Sequence, residues 1–256
     1  MKKIIIIGLF LIFYCSSSID KNIVVFYLNQ LDNIKNISNM YPDFKFKYIQ
    51  LSENLKKNSQ LLNNTLPNIK NNIAIIIAPD SISLPLVAFF KRENIITFIA
   101  GAFNPYFYML NYKNIFITGS QPFKFVKNML KHYNKNNSII ISDSSYISKS
   151  IMYILQKEKI NNPNSKITPN IRNIFWTTPN LKLQKNKKNI ILFPSNIKEN
   201  NIISSTGTQN ISIPYPLNYY KITLDILSDL NWQKILKKQE QYILTTKYFN
   251  NLHYIK

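Results

Sequence analysis

The chain has 256 residues, with 32 Lys and Arg against 12 Asp and Glu, so its formal net charge is +20. This length suffices for one large domain or for two lobes of about 100 residues each. Nucleic-acid binding is not indicated, because the basic residues are spread along the whole chain and no RNP, zinc-finger or basic-helix motif occurs.

The N-terminus has the pattern of a secretory signal peptide. Lys2-Lys3 precedes an apolar run, 4–14, that is too short to span a bilayer. Cys15 is the only cysteine, so no internal disulfide can form. Its position resembles a bacterial lipoprotein cleavage site, although Tyr14 stands where a small residue is usual; the alternative is an incidental cysteine with cleavage at a later serine. We expect an exported protein with a signal peptide over 1–15, and a lipid on Cys15 would hold it at a membrane surface.

Strand and helix patterns alternate after the N-terminal segment. The first half of the chain predicts strands at 22–28, 44–49, 73–78, 95–99 and 114–118, and helices at 31–40, 53–66 and 84–93. The strand at 44–49 alternates like a half-exposed edge strand. The other apolar runs from 73 onwards do not alternate, which is typical of strands buried on both faces of a parallel sheet that helices cover.

The second half of the chain continues the same alternation with weaker signals. A helix at 122–133, an apolar strand at 138–142 and a helix at 146–159 come first. Strand candidates then follow at 173–177, 189–193, 202–205 and 211–213, separated by polar and basic segments without a helical pattern. The last element is a long helix from 217 to about 243. No solenoid-length repeat is visible.

The turn after the strand at 73–78 holds a first set of candidate binding residues. In open parallel sheets, ligands bind at the carboxyl ends of the strands. Ser81 and Ser83 begin the next helix with Asp80, where free backbone N–H groups and the helix dipole favour a ligand carboxylate. The serine hydroxyls would add donors. The alternative is that Asp80 or Ser81 only caps the helix, and Asp80 would repel a carboxylate if it pointed into the cleft.

Two further turns hold the remaining candidates. Ala100, Gly101 and Ala102 would offer backbone amides to the same ligand group, or would only form a tight turn. Tyr146 would close over the ligand from the second half of the chain, and Asp143 would pair with a ligand ammonium group. The alternatives are a packing tyrosine and a cap or turn aspartate.

Catalytic and metal-binding patterns are missing from the sequence. His132 and His253 are the only histidines, and neither lies in a recognisable catalytic setting. With one cysteine the chain cannot supply a standard zinc site. No G-x-S-x-G, P-loop or G-x-G-x-x-G motif occurs, and no acidic pair stands out. We therefore expect no enzymatic activity, no cofactor and no metal.

The order of these motifs resembles the type 1 periplasmic solute-binding proteins, the fold of branched-chain amino-acid binding proteins and of lipoprotein activators of penicillin-binding proteins. Five segments carry the resemblance. The first three are the end of a strand followed by proline and serines (78–83), a small-residue turn (100–105) and an aromatic strand (116–120). The other two are an Asp-x-x-Tyr turn (143–146) and a helix with an imperfect Tyr-Asp-Ala motif (219–225). Ala78 and Ile147 replace glycines of the family pattern. The chain is also short for the family.

The resemblance implies an α/β fold with two hinged, Rossmann-like lobes whose parallel sheets are flanked by helices, the second lobe being reduced. Lobe 1 would span 22–118, completed by the helix at 217–243, and lobe 2 would span 119–216. The chain would cross between the lobes near 118–120 and 214–216.

The resemblance also implies two alternative functions. The first is capture of a small polar ligand such as an amino acid in the interlobe cleft, in the periplasm or at the membrane surface, with delivery to an ABC permease. The second is a non-enzymatic envelope lipoprotein that regulates a cell-wall synthase by protein–protein contact. The serine turn and Tyr146 favour solute capture, whereas the replaced glycines and the thin second lobe favour the regulator.

Overall fold

The computed structural model describes residues 21–109, 112–119, 122–134, 136–160, 167–178, 180–182, 184–192, 202–203 and 217–229. The predicted signal peptide with Cys15, the strand candidate at 211–213, the crossing at 214–216 and the part of the last helix beyond 229 lie outside these residues. Across the described ranges, no helix is both long enough and apolar enough to cross a membrane.

The first lobe is built on a parallel sheet of five strands in the order β2-β1-β3-β4-β5. Every residue of β3, β4 and β5 is buried, as their non-alternating apolar runs predicted. Burial changes from residue to residue in β2, which lies at an edge of the sheet. The strands are β1 Lys21–Tyr27, β2 Phe44–Gln50, β3 Ile73–Ile77, β4 Thr97–Ala100 and β5 Ile115–Thr118.

Helices cover both faces of this sheet because successive strand residues point to opposite sides. Val25 and Ile75 face a core that includes Tyr220 and Leu224 from the last helix. Their neighbours in β1 and β3 face a second core that includes Phe90. The helices are α1 Leu31–Ser38, α2 Leu55–Thr65, α3 Asp80–Arg92 and α6 Leu217–Ser228.

The second lobe is smaller and has four parallel strands in the order β6-β7-β8-β9. Its larger core lies between the sheet and two helices and includes Phe125, Ile151 and Phe175. The described residues between β7 and β8 form turns and no helix, so the lobe is reduced as predicted. The elements are α4 Pro122–Met129, β6 Ser138–Ile141, α5 Tyr146–Lys157, β7 Asn173–Trp176, β8 Lys188–Ile191 and β9 Ile202–Ile203.

Several element bounds differ from those that the sequence predicted. Helix α3 begins at Asp80 rather than at 84, because the carbonyl of Pro79 accepts the N–H groups of Ile82 and Ser83, each at 2.9 Å. Helix α4 ends at Met129 and continues as a 3₁₀ turn over Leu130–His132. Two other 3₁₀ turns, Leu66–Asn68 after α2 and Pro105–Met109 after β4, were not predicted.

A buried hydrogen bond between hydroxyl groups attaches α6 to α1. The Ser38 and Tyr220 hydroxyl oxygens lie 2.7 Å apart. Ser38 Oγ also donates to the carbonyl of Ile34 at 2.8 Å. Since Ser38 has a single hydroxyl proton, the Tyr220 hydroxyl is the donor between the two side chains.

Removal of either hydroxyl should destabilise the first lobe. We expect Ser38→Ala and Tyr220→Phe each to lower the free energy of unfolding by about 1 kcal/mol. The double variant should lose less than the sum, with a coupling energy of about 1 kcal/mol. Chemical denaturation of the four proteins measures this, and Tyr48→Phe controls for removal of a tyrosine hydroxyl. Additive losses would contradict a direct Ser38–Tyr220 bond.

Candidate functional site between the two lobes

A cavity of about 380 Å³ lies where the two lobes meet. This volume is within the usual range of small-molecule pockets, roughly 300–1,000 Å³. The loops after β1, β3 and β4 form one side, and the start of α5 and the first residue of α6 complete it. Its described lining consists of Leu28, Asn29, Gln30, Ile77, Ala78, Pro79, Asp80, Ser81, Gly101, Phe103, Tyr146, Ile147 and Leu217.

The topology of the first sheet determines the position of this cavity. From β1 the chain crosses to β2 on one side, whereas from β3 it crosses to β4 on the other. The loops that leave the carboxyl ends of β1 and β3 therefore diverge, which leaves a crevice between them. Residues from both loops line the cavity. Gln30, in the first of them, has a left-handed backbone (φ 67°), which is uncommon for a residue other than glycine.

The cavity wall combines apolar surface with a few polar groups. Leu28, Ile77, Phe103, Ile147 and Leu217 supply most of the apolar side chains. The polar side chains belong to Asn29, Gln30, Asp80, Ser81 and Tyr146. Although the chain has a net charge of +20, the described lining of the cavity contains no Lys or Arg. Asp80 is thus the one formally charged side chain in the described wall.

Asp80 connects the start of α3 to the loop that follows β4. One of its carboxylate oxygens, Oδ2, accepts hydrogen bonds from the N–H groups of Phe103 at 3.0 Å and Asn104 at 2.6 Å. Burial raises the pKa of Asp80 from 3.8 to about 7, because desolvation disfavours the ionised form more than the two amide bonds favour it. The residue therefore holds a loop and does not act as the N-cap of α3, which is Pro79.

Asn104 extends this connection to the second lobe. Its side-chain amide Nδ2 donates to the hydroxyl oxygen of Tyr146 at 2.6 Å, and its Oδ1 accepts the N–H of Tyr106 at 2.8 Å. Burial and the nearby charge of Asp80 raise the pKa of the Tyr146 hydroxyl. The two lobes are thus linked by hydrogen bonds that run from Asp80 through Asn104 to Tyr146.

Aromatic contacts strengthen the same link. Phe103 follows β4 of the first lobe, but its side chain is only 2% exposed and packs in the core of the second lobe. Its ring lies edge-on to that of Phe125, with centroids 5.3 Å apart. Tyr106 stacks on Tyr153 of α5 at 5.6 Å. The loop after β4 therefore belongs to the packing of both lobes.

Three of the seven predicted binding residues line the cavity together: Ser81, Gly101 and Tyr146. Ser81 is exposed at the start of α3. Gly101 has φ 81°, a conformation that favours glycine, and its N–H donates to the carbonyl of Thr118 at 2.7 Å. Tyr146 is 39% exposed and covers the cavity from α5.

The other four predicted residues are not part of the described lining. Ser83 is fully buried and donates its hydroxyl to the carbonyl of Ala78 at 3.0 Å. Ala100 and Ala102 are buried, the first in β4 and the second among the apolar side chains beneath α3. Asp143 is exposed and lies in the turn before α5, outside the described lining.

Asp143 organises the turn before α5. Its carboxylate accepts hydrogen bonds from the Ser145 N–H at 2.9 Å, from the Thr178 hydroxyl and from the side-chain amide of Asn180. The bonds from Ser145 and Thr178 lower the pKa of Asp143 to about 2. Ser145, and not Asp143, caps α5 by accepting the N–H of Ser148.

Several residues of the site are not among those that the sequence predicted. Leu28, Asn29 and Gln30 follow β1, so the rule that ligands bind at carboxyl ends of strands would have included them. Phe103 and Asn104 lie just beyond the predicted small-residue turn, and nothing in their local sequence indicates a contact with the second lobe. Within the described residues, no group of three or more His, Cys, Asp or Glu side chains could hold a metal ion.

The raised pKa of Asp80 should make stability depend on pH. Between about pH 4 and pH 7 the folded chain retains a proton that the unfolded chain has released, so this group lowers stability as the pH rises. Asp80→Asn removes the effect. We expect the free energy of unfolding of the wild type, relative to this variant, to fall by on the order of 2–4 kcal/mol over that range.

Chemical denaturation of both proteins at several pH values measures this difference. Asp32→Asn is the matched control. Asp32 and Asp80 both lie in the first turn of a helix, α1 and α3 respectively, but the carboxylate of Asp32 is exposed. Parallel stability curves for the wild type and Asp80→Asn would show that the carboxyl group is not perturbed.

Comparison with known proteins gives matches of structure and none of sequence. No protein-family model and no curated protein matches the chain. An ABC transporter substrate-binding protein from Desulfitobacterium hafniense, solved in complex with Leu, superposes with a TM-score of 0.55 at 9% identity, covering 88% of this chain and 87% of its own.

Two further solved structures match over a similar share of the chain. A leucine-binding protein from Thermotoga maritima has a TM-score of 0.53 at 9% identity, covering 90% of this chain and 79% of its own. A branched-chain amino-acid transporter substrate-binding protein from Streptococcus pneumoniae, in complex with isoleucine, has a TM-score of 0.50 at 9% identity, covering 91% and 81%. At such low identity the likeness concerns the fold alone. The chain therefore has the type 1 periplasmic binding protein fold that the order of its motifs predicted.

Proposed function

We propose that this protein is a solute-binding protein that captures a small ligand of amino-acid size between its two lobes. The observation that carries the proposal is the cavity of about 380 Å³ at the β1/β3 crevice, which residues from both lobes line. Proteins of the same fold have been solved with leucine and isoleucine bound. Since one fold can host different functions, this analogy supports the proposal but does not identify the ligand.

The wall of the cavity suits a ligand with an apolar body and a polar end. Leu28, Phe103 and Ile147 would bury an aliphatic or aromatic side chain. Ser81 would offer its hydroxyl, together with its backbone N–H in the first turn of α3, which has no intrahelical acceptor. Tyr146 would cover the ligand from the second lobe. Closure of the lobes around the ligand would follow the hinge motion of such proteins.

The remaining predicted residues would act indirectly. Ser83, Ala100 and Ala102 are buried behind the wall, where their small side chains leave room for the loops that form it. Asp143 would keep the start of α5, and with it Tyr146, in position. In this proposal lobe 1 spans 22–118 with the C-terminal helix, and lobe 2 spans 119–216.

Export and delivery complete the proposal. The N-terminal signal-peptide pattern would direct the chain out of the cytoplasm, and a lipid on Cys15 would keep it at the membrane surface. The partner would be an ABC permease; one matching structure is named as an ABC transporter substrate-binding protein. The protein would bind its ligand and not transform it, since no catalytic constellation was found in the sequence.

Ligand binding should stabilise the folded protein, and filling the cavity should abolish this effect. We expect at least one member of a panel of amino acids and related compounds to raise the free energy of unfolding, by about 2.7 kcal/mol at one hundred times its dissociation constant. Thermal denaturation with each compound measures the shift. Ile147→Trp, which places a larger side chain in the cavity from α5, should remove it.

Lys149→Trp is the matched control, because it adds the same side chain to an exposed position on the same helix. It should bind as the wild type does. No shift with any compound would contradict solute capture, and it would favour the alternative in which the chain regulates a cell-wall synthase by protein–protein contact.

A further inference from the structure

Of the three turn residues whose backbone amides the sequence predicted for a ligand group, Gly101 already uses its N–H within the protein, and so do the next residues along the loop, Phe103 and Asn104. Gly101 donates its N–H to the carbonyl of Thr118 at 2.7 Å. The N–H groups of Phe103 and Asn104 both donate to Oδ2 of Asp80, at 3.0 and 2.6 Å. The carboxylate of Asp80 thus takes up the amides of Phe103 and Asn104, which are not available to a ligand carboxylate.

The start of α3 leaves the N–H of Ser81 without an intrahelical acceptor but places the carboxylate of Asp80 beside it. Asp80 lies in the first turn of this helix, so a carboxylate near the neighbouring amides would meet a like charge at close range whenever Asp80 is ionised. No Lys or Arg belongs to the described lining to offset that repulsion. A ligand anion in the cavity would lose its hydration and find no counter-ion in the described wall.

A ligand cation finds the opposite environment. Only Oδ2 of Asp80 accepts hydrogen bonds within the described part of the chain, so Oδ1 is available to a donor. The hydrogen bond from the Asn104 N–H to Oδ2 holds the carboxylate of Asp80 in place before any ligand arrives. Asn29 and Gln30 also line the cavity, and their side-chain carbonyls can accept further hydrogen bonds from an ammonium group.

We infer that the cavity takes a primary amine with an apolar body and no carboxylate, and that Asp80 binds its ammonium group. This inference rests on the proposed solute-binding function and narrows its ligand class. The apolar part of the amine lies against Leu28, Ile77 and Ile147. Binding of the cation keeps Asp80 ionised, which the buried site alone disfavours.

Matched compounds test the inference on the full-length protein. Isothermal titration calorimetry compares 3-methylbutylamine with leucine, and 2-phenylethylamine with phenylalanine; 4-methylpentanoate carries the carboxylate without the amine. We expect an amine to bind at least tenfold more tightly than the amino acid with the same apolar body, and the carboxylate not to bind. Asp80→Asn should weaken amine binding at least tenfold, whereas Asp32→Asn, which removes an exposed carboxylate from α1, should leave it unchanged.

Each other outcome has a distinct meaning. Tighter binding of leucine or phenylalanine than of the amines would overturn the inference and leave the proposed function intact. Loss of amine binding in Asp143→Asn but not in Asp80→Asn would show that Asp143 binds the ammonium group, and it would overturn the role inferred for Asp80. Failure of every compound, including a wider panel, would overturn the proposed function and the inference with it. The preference of the unmodified protein decides the matter even if Asp80→Asn does not fold.

Discussion

The carboxylate of Asp80 is the contact on which the geometry of the cavity depends. By accepting the N–H groups of Phe103 and Asn104, it fixes the loop after β4 against the start of α3. That loop inserts the ring of Phe103 into the core of the second lobe and presents Asn104 to the hydroxyl of Tyr146. Asp80 therefore helps to fix how the first lobe meets the second, together with the aromatic contacts of Phe103 and Tyr106. It also determines which charge the cavity offers to a ligand.

Two aspartates near the lobe junction illustrate how environment assigns different roles to one residue type. Asp80 is partly buried, and desolvation raises its pKa to about 7, so its charge is costly in the empty protein. Asp143 is exposed, and its hydrogen bonds lower its pKa to about 2. Asp143 is satisfied by its own turn and stabilises local structure. A partly buried carboxylate with one oxygen still available has the properties expected of a binding group.

Much of the fold could be predicted because the pattern of apolar residues in the sequence reports which segments are buried. The non-alternating apolar runs correspond to strands such as β3 and β6, and the motif order indicated the type 1 fold that the structural matches bear out. The start of α3 was misjudged by four residues, since Pro79 allows the helix to begin directly after it. The two replaced glycines, Ala78 and Ile147, both line the cavity, where their side chains take up space.

By itself the sequence determined which segments form buried parallel strands and which turns at their carboxyl ends hold polar residues. Only the tertiary structure decided which of those turns meet. Asp80 and Asn104 are 24 residues apart, and Asn104 and Tyr146 are 42 apart. Periodicity reports whether a side chain is buried but not its partner, because contacts between distant segments arise only when the sheets and helices pack. The same packing left Ser81 and Tyr146 at the cavity and enclosed Ser83 in the core.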